Sequence, residues 1–339
     1  MASVVVGTLV AALLAPVGIT TATAATSSAS VSVAPRTIPA LPGFRRTAKG
    51  KVLNPARFTT VATFGLPAAS TPRTVVLGAT VTVRVPTRLA LSVLAWCRPS
   101  GSSSAAPDAR AAHDVLVIGQ NPVPGSSSLQ VASRTLAGRA VVVVPARTAV
   151  TCQLQLSPRT ETYSGSSLRL LSGRFTATAA TVLARAAQRP AVLVGGPTSP
   201  GAGGQALPQR RVAVIGATPV TGRLRVEGEA ELTMCAFGYH LCAVGTSTPS
   251  VVDVRLQLAE LTSAGRVCAL VGGSARTVTI TSAVHHTKVA VPALTHAMGC
   301  GTRVTAWLLV TFHSGNAVEV EPVIQPARVQ THVWVQRAA

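Results

Sequence analysis

The sequence predicts an all-β protein with two tandem β-sandwich modules, because one cysteine-bearing signature occurs twice. The copies are V141-V-V-V-P-A-R-T-A-V-T-C152 and K288-V-A-V-P-A-L-T-H-A-M-G-C300. Each follows an Arg-Val strand that ends in another cysteine, Cys97 or Cys235, and each precedes a second β-type run that ends at Ser-Gly. A fixed order repeated at a long period is typical of a duplicated domain. The length of 339 residues is enough for two domains, each with its own core.

Residues 1–25 are predicted to be a secretory signal peptide. Val4 to Ile19 is largely apolar, and A22-T-A-A-T26 has the small-residue pattern of a cleavage site after Ala24 or Ala25. No Lys or Arg precedes the apolar run, so a buried N-terminal strand is the alternative. No later run reaches the ~18 apolar residues of a transmembrane helix. We therefore expect a secreted, extracellular protein without a transmembrane segment in the mature chain.

Residues 26–57 are predicted to form a flexible, disordered basic arm. The segment is rich in Ser, Thr and Pro, lacks apolar periodicity and carries F44-R-R-T-A-K-G-K51. Its cations are candidate ligand-binding residues, namely Arg45, Arg46, Lys49 and Lys51. The alternatives are a solvated linker with no specific partner and a processing site at the paired arginines.

The first module is predicted to span residues 58–194. V81-T-V-R-V85 alternates, and L89-A-L-S-V-L-A-W-C97 places Cys97 on its apolar face. Cys152 shares a face with Leu154 and Leu156, so both cysteines should point inward, on separate strands. This arrangement resembles the inter-sheet disulfide of immunoglobulin-like domains. Neither module has a Tyr two residues before its second cysteine, so we expect disulfide-stapled sandwiches that are immunoglobulin-like or of a related Greek-key type.

A Gly/Pro linker at 195–209 is predicted to separate the first module from a second at 210–339. The stretch GGPTSPGAGGQALP, at positions 195–208, is too rich in Gly and Pro to form a regular element. The second module opens with the alternating run G222-R-L-R-V-E-G-E-A-E-L-T-M-C235. Continued alternation along this run would place Cys235 on the same face as the glutamates. An inward cysteine therefore predicts a bulge near Gly228 or a strand that ends before the cysteine.

Six cysteines fit an oxidising compartment and three disulfides. The repeat favours one of fifteen connectivities, in which the pairs are Cys97 with Cys152, Cys235 with Cys300, and Cys242 with Cys268.

The chain carries a formal net charge of +20. Residues 36–200 hold 19 basic and 3 acidic groups, a balance of +16, and residues 201–339 hold 11 and 7, a balance of +4. Such a field favours anionic cell-wall polymers and surfaces as partners. A high-GC genome would also enrich arginine without any selection for binding. Aromatic residues are only 3% of the chain, which argues against nucleic-acid recognition by base stacking.

Motifs of the common secreted hydrolases are missing, including G-x-S-x-G, H-E-x-x-H and S-x-x-K. Three glutamates alternate on one strand and are expected on a solvated face rather than at a glycosidase site: Glu227, Glu229 and Glu231. Four histidines are expected on or beside neighbouring strands, where a surface copper or zinc site is a minor alternative: His285, His286, His296 and His313. A Ser-His-Asp triad would have only Asp253 as a local acid, on an outward strand face.

The sequence therefore favours a non-enzymatic extracellular or cell-envelope protein that needs no cofactor and no metal. Two other functions stay open. One is binding of an anionic polymer through the basic arm and first module. The other is a secreted hydrolase with its site in the second module or between the modules.

Overall fold

The computed structural model confirms the all-β fold. Its described residues form strands and turns, with no helix among them, and so no helix that is long and apolar enough to cross a membrane. The described ranges are 21–23, 28–42, 44–47, 50–53, 57–85, 89–102, 115–120, 132–160, 166–196, 198–236, 241–282, 284–321 and 328–338.

Twelve strands lie in the first half of the chain. They are β1 (Thr21–Thr23), β2 (Ala29–Val33), β3 (Arg36–Pro42), β4 (Phe44–Thr47), β5 (Gly50–Leu53), β6 (Thr59–Leu66), β7 (Arg73–Val85), β8 (Leu89–Pro99), β9 (Val115–Gln120), β10 (Ala132–Val144), β11 (Val150–Thr160) and β12 (Ser166–Ala179).

The second half contributes thirteen strands. They are β13 (Val182–Ala187), β14 (Val192–Val194), β15 (Gln209–Pro219), β16 (Arg223–Met234), β17 (Ser250–Leu261), β18 (Val267–Gly272), β19 (Arg276–Ile280), β20 (His286–Ala290), β21 (Leu294–Ala297), β22 (Arg303–Ser314), β23 (Val318–Val320), β24 (Arg328–Val329) and β25 (His332–Arg337).

The first half folds into two sheets around one core. Sheet 1 has the order β10, β7, β12, with β2 and β3 both on β12, and sheet 2 has the order β6, β11, β8, β9. Strand β3 leaves β12 to pair with the end of β11, so it joins the two sheets at a corner. Alternate residues of β6, β7 and β12 point into the core, where Phe64 and Phe175 meet with ring centroids 4.5 Å apart. The core is otherwise mostly Val, Leu and Ala.

The second half repeats this order of strands. Sheet 3 has β16 at its centre, flanked by β20 and β21 on one edge and by β25 and then β13 on the other. Sheet 4 has the order β15, β22, β17, β18. Strands β15, β22, β17 and β18 thus occupy the places that β6, β11, β8 and β9 occupy in sheet 2. The matching orders support the predicted duplication, which stays a prediction.

The cysteines do not follow the repeat, however. Cys97 lies on β8, whose counterpart by strand order is β17, whereas Cys235 directly follows β16. Strand β16 ends at Met234, which agrees with the prediction that the strand stops before the cysteine. The Pro-Ala-x-Thr motif at Pro145 follows β10 and that at Pro292 follows β20, two strands with equivalent positions in their sheets.

Both predicted flexible segments contain ordered structure. Within 26–57, β2 and β3 pair with β12 and bury Val31 and Ile38. The sequence did not predict these strands, because their small apolar residues alternate with polar ones over too short a stretch to stand out. Within 195–209, the backbone bonds to neighbouring segments, as in Gly203 N to Leu241 O at 2.8 Å. A Cβ on Gly201, whose φ is +80°, would lie 2.3 Å from the Cys235 carbonyl oxygen. Glycine there permits close packing rather than flexibility.

Two other predicted boundaries are the end of the first module at 194 and the end of the signal peptide at 25. Strands β13 and β14 pair with β25 and β23 of sheet 3, so the chain enters the second sandwich before the predicted boundary at 194. The predicted signal peptide lies outside the described residues except for β1, which pairs in parallel with β6.

All three disulfides form, but two of the predicted pairings are wrong. Cys97 bonds to Cys152 as predicted, although the two are directly opposite on β8 and β11 of one sheet, so the bond does not staple two sheets. The other bonds are Cys235–Cys242 and Cys268–Cys300. Cys235–Cys242 has a sequence separation of 7. The two disulfide pairs were predicted wrongly because the repeat was taken to make Cys235 of the second module equivalent to Cys97 of the first.

The Cys97–Cys152 disulfide should contribute most to stability. Its sequence separation is 55, against 7 for Cys235–Cys242. Chain entropy gives about 4 kcal/mol for the long loop and about 2 kcal/mol for the short one. We expect Cys97→Ala/Cys152→Ala to lower the urea midpoint more than Cys235→Ala/Cys242→Ala. Equal midpoints for the two variants would contradict this order.

Candidate functional site

Sheet 3 carries a buried cluster of charged and polar side chains on its outer face. Five of its members are glutamates, three on β16 and two at and just after β23: Glu227, Glu229, Glu231, Glu319 and Glu321. None of them is more than 6% exposed. The prediction that the β16 glutamates lie on a solvated face is therefore wrong. The strand alternates as expected, but its outer face packs against the first sandwich.

Arg139 of β10 connects this cluster to the first sandwich. Its backbone N–H and Nε donate to the two oxygens of Glu229 at 2.9 and 2.8 Å, and its Nη1 donates to Glu227. Its guanidinium carbon lies 4.9 Å from the centre of the Trp334 ring on β25. A second bond joins the sandwiches, from Arg185 Nη1 of β13 to the Val141 carbonyl oxygen of β10 at 2.8 Å. Fork-like guanidinium contacts of this kind combine charge with fixed geometry.

A buried lysine on a neighbouring strand adds a cation to the cluster. Lys288 of β20 lies opposite Glu231, and its Nζ is 3.9 Å from a Glu229 oxygen and donates to the Gln330 carbonyl. Its side chain is 1% exposed. Burial lowers the pKa of Lys288, while Glu229 and Glu231 act in the opposite direction. An ammonium in this position is balanced by carboxylates rather than by water.

His332 on β25 lies beside the same carboxylate. Its Nε2 is 3.9 Å from Glu229, and its ring meets Trp334 edge to face at 5.1 Å. Burial, and then the charges of Lys288 and Arg139, hold the pKa of His332 well below its ordinary value. The imidazole is therefore neutral in the folded protein at neutral pH.

At the far end of β16 the cluster continues through a hydrogen-bonded chain. Thr233 Oγ1 donates to Glu321 at 2.5 Å. The same hydroxyl is 2.6 Å from His286 Nδ1, and because its proton goes to Glu321 it accepts from the ring nitrogen. His286 and His285 have ring centroids 4.1 Å apart.

Glu260 forms a second, separate site at the end of β17. Its carboxylate accepts the backbone N–H groups of Gly299, Cys300 and Gly301 at 2.7 to 3.1 Å, and His296 Nε2 at 2.6 Å. Burial is the largest single influence and raises the pKa, but these hydrogen bonds together outweigh it and lower the pKa of Glu260 to about 2. Its oxygens also lie near Cys268 and Cys300, but both sulfurs are used in a disulfide and offer no thiolate.

The histidines that were predicted to gather have different partners. His296 binds Glu260, His285 and His286 lie together, and His313 Nε2 is 2.9 Å from Asp253 Oδ2 on the surface. Asp253 also accepts from Thr277 Oγ1 at 2.6 Å. The bonds from Thr277 and then His313 lower the pKa of Asp253. Among the described residues, no cluster with metal-ligand geometry contains a histidine.

The candidate residues of the basic arm are only partly described. Lys49 lies outside the described residues. Strands β4 and β5 pair as a hairpin in which Arg46 is opposite Lys51 and Arg45 is opposite Val52. Their role in binding stays a prediction.

The outer face of sheet 1 holds an arginine group that the sequence reading did not single out. Arg84 on β7 and Arg169 on β12 are directly opposite each other, and both are exposed. Arg174 lies further along β12 on the same face, opposite Thr80. The alternation in V81-T-V-R-V85 already placed Arg84 on the face away from the core, but only strand pairing brings it beside Arg169.

Comparisons with known proteins give no family for the chain. It matches no protein-family model and no curated protein sequence. Among solved structures it is similar to a chain of Broad Bean Stain Virus, with 7% identity, a TM-score of 0.27 and coverage of 91% of this chain and 88% of that chain. It is also similar to a chain of the infectious bursal disease virus Gx strain, with 12% identity, a TM-score of 0.16 and coverage of 92% and 75%. Likenesses this weak carry no argument about function.

Replacing Arg139 should destabilise the protein strongly. Arg139→Met leaves Glu229, which is 0% exposed, without its main partner. Removing one member of a buried pair costs about 3 kcal/mol. We expect a urea midpoint well below that of Arg134→Gln, an exposed control on the same strand. Adding Glu229→Gln should recover part of the loss, and a double variant that loses the full sum would contradict the coupling.

The stability contributed by Glu260 should depend on pH. Because its pKa falls from 4.5 to about 2 on folding, this contribution is complete above pH 4.5 and is lost as the pH falls toward 2. Glu260→Gln should therefore lower the melting temperature at pH 7 and lower it less at pH 3. Arg266→Gln, in an exposed turn, is the control and should show no such change. An equal difference in melting temperature between wild type and Glu260→Gln at pH 7 and at pH 3 would contradict this prediction.

Proposed function

We propose that this protein is a non-enzymatic extracellular or cell-envelope protein that binds anionic polymers through its arginine-rich surface. The observation that carries the proposal is the separation of the two signs of charge between interior and surface. Three disulfides fit an oxidising, extracellular-type compartment.

Nearly all acidic groups of the described chain are inside. Six of the ten acidic residues are buried, five in the cluster on sheet 3 and Glu260 beside His296. Among the described residues the only other acid is Asp253, which is partly exposed and paired with His313. The described carboxylates are therefore buried or paired within the fold and neutralise little of the positive charge at the surface.

Most of the described arginines are exposed. Fourteen of those described are exposed, namely Arg57, Arg84, Arg134, Arg147, Arg169, Arg174, Arg185, Arg189, Arg211, Arg223, Arg225, Arg266, Arg276 and Arg337. The field at the surface is thus more positive than an even distribution of the chain's charges would give. Such a field concentrates polyanions near the protein and speeds their association.

The hydrolase alternative has less support. The carboxylates between the sandwiches are at most 6% exposed, so a polymeric substrate does not reach them. Each of the β16 pair Glu227 and Glu229 is also held by Arg139. Their contacts suit them to joining the sandwiches.

Titration of the full chain with poly(glycerol phosphate) tests the proposal. Because binding releases counterions from the polymer, the logarithm of affinity should fall linearly with the logarithm of salt concentration. An uncharged dextran of similar length is the control and should not bind at any salt concentration. Absence of binding at low salt, or binding that does not respond to salt, would show that the arginines are compositional only.

A further inference from the structure

The outer face of sheet 1 combines arginines and hydroxyl groups in three rows, with a register shift in β12 between the first two. Across β12, β7 and β10, the first row is Arg169, Arg84 and Ser133, and the second is Ser172, Thr82 and Thr135. The third row is Arg174, Thr80 and Ala137, with Ser32 of β2 beside Arg174. We call these three rows the Arg/Thr face. The paired positions of the rows contain no acidic, aromatic or large apolar side chain, and the half-buried Leu171 lies between the first two rows on β12.

Arg84 and Arg169 are the charged centre of this face. They are a directly opposed pair on antiparallel strands, and neither guanidinium has a hydrogen bond or ion pair with the described residues. Like charges in this position destabilise a sheet. An anion bound between them would remove the repulsion and use the donors of both forks.

The spacing of the rows suggests a linear ligand. Residues rise about 3.3 Å along a strand, so the Arg174 row lies about 13 Å from the Arg84 row. The row between them is made of hydroxyls, where Thr82 Oγ1 and Thr135 Oγ1 are 3.0 Å apart. Arg174 Nε donates to Ser30 Oγ at 3.0 Å, which holds its side chain over the face. Cationic and hydroxyl positions thus alternate along β12, as Arg169, Ser172 and Arg174, while β7 adds Arg84 to the first row and a threonine to each of the other two.

We infer that the Arg/Thr face binds an extended polyol-phosphate chain, a polymer in which phosphodiesters alternate with hydroxyl-bearing carbons. This inference rests on the proposed binding of anionic polymers and names the site and the ligand class. One phosphodiester lies between Arg84 and Arg169, a later one lies at Arg174, and the polyol hydroxyls bond to the threonine and serine row between them. A nucleic acid fits less well because the face offers no ring for a base to stack on.

A charge-matched pair of variants tests the position of the site. Arg84→Gln/Arg169→Gln removes the opposed pair, whereas Arg189→Gln/Arg266→Gln removes the same charge from exposed positions elsewhere. Loss of charge-assisted bonds should weaken poly(glycerol phosphate) binding by the full chain at least about tenfold in the first variant. The second should stay close to wild type. The polymer should also raise the melting temperature of the wild type more than that of the first variant.

The outcomes separate the two proposals. Equal weakening in both variants would keep the protein as a binder of polyanions but overturn the Arg/Thr face as its site. No binding by the wild type would overturn both.

The hydroxyl row has its own test. Thr80→Val/Thr82→Val keeps β-branched shape and charge, and should weaken binding of poly(glycerol phosphate) but leave binding of inorganic polyphosphate, which has no polyol, unchanged. Unchanged binding of both polymers, or tighter binding of a single-stranded polynucleotide than of the polyol phosphate by the wild type, would overturn the ligand class.

Discussion

The rest of the structure depends on the buried ionic contacts between Arg139 and the glutamates of β16. Charges taken out of water are tolerated only when opposite charges and hydrogen bonds surround them. Here Glu229 has two cations around it, Arg139 from the other sandwich and Lys288 from β20, and the neutral His332 of β25 lies 3.9 Å away. Because Arg139 comes from sheet 1, the outer face of sheet 3 is satisfied only when the two sandwiches lie together.

This constraint also determines the character of the surface. A chain with 30 basic and 10 acidic residues has few anions to distribute. Placing Glu227 and Glu229 in the contact between the sandwiches, burying three more glutamates on sheet 3 and holding Glu260 against three backbone amides leaves the exterior with arginines that have few partners. The internal electrostatics and the proposed binding of polyanions therefore have one origin. The same burial makes His332 neutral, since a further positive charge beside Lys288 and Arg139 would be unfavourable.

The disulfides act locally within this arrangement. Cys97–Cys152 joins neighbouring strands of sheet 2, and Cys268–Cys300 joins β18 to the turn that binds Glu260. Cys235–Cys242 holds the segment against which the Gly/Pro stretch packs, as the buried group of Leu193, Cys235, Cys242 and Ala317 shows. None of them joins one sandwich to the other, so that contact relies on the polar bonds of Arg139 and Arg185, the packing of Arg139 on Trp334 and the short parallel pairing of β24 with β9.

The sequence by itself determined the all-β class, the strands with clear alternation such as β7 and β8, and the Cys97–Cys152 bond, because these follow from local periodicity and parity. It also placed Glu227, Glu229 and Glu231 on one face of β16. Only the tertiary structure decided that this face is buried, since alternation separates two faces of a strand but does not reveal whether water or a second sandwich covers the polar one. The remaining disulfide pairs were likewise decided by which cysteines the folded chain brings together. The meeting of Arg84 with Arg169 was decided by strand pairing, which joins residues 85 positions apart through contacts that no local pattern encodes.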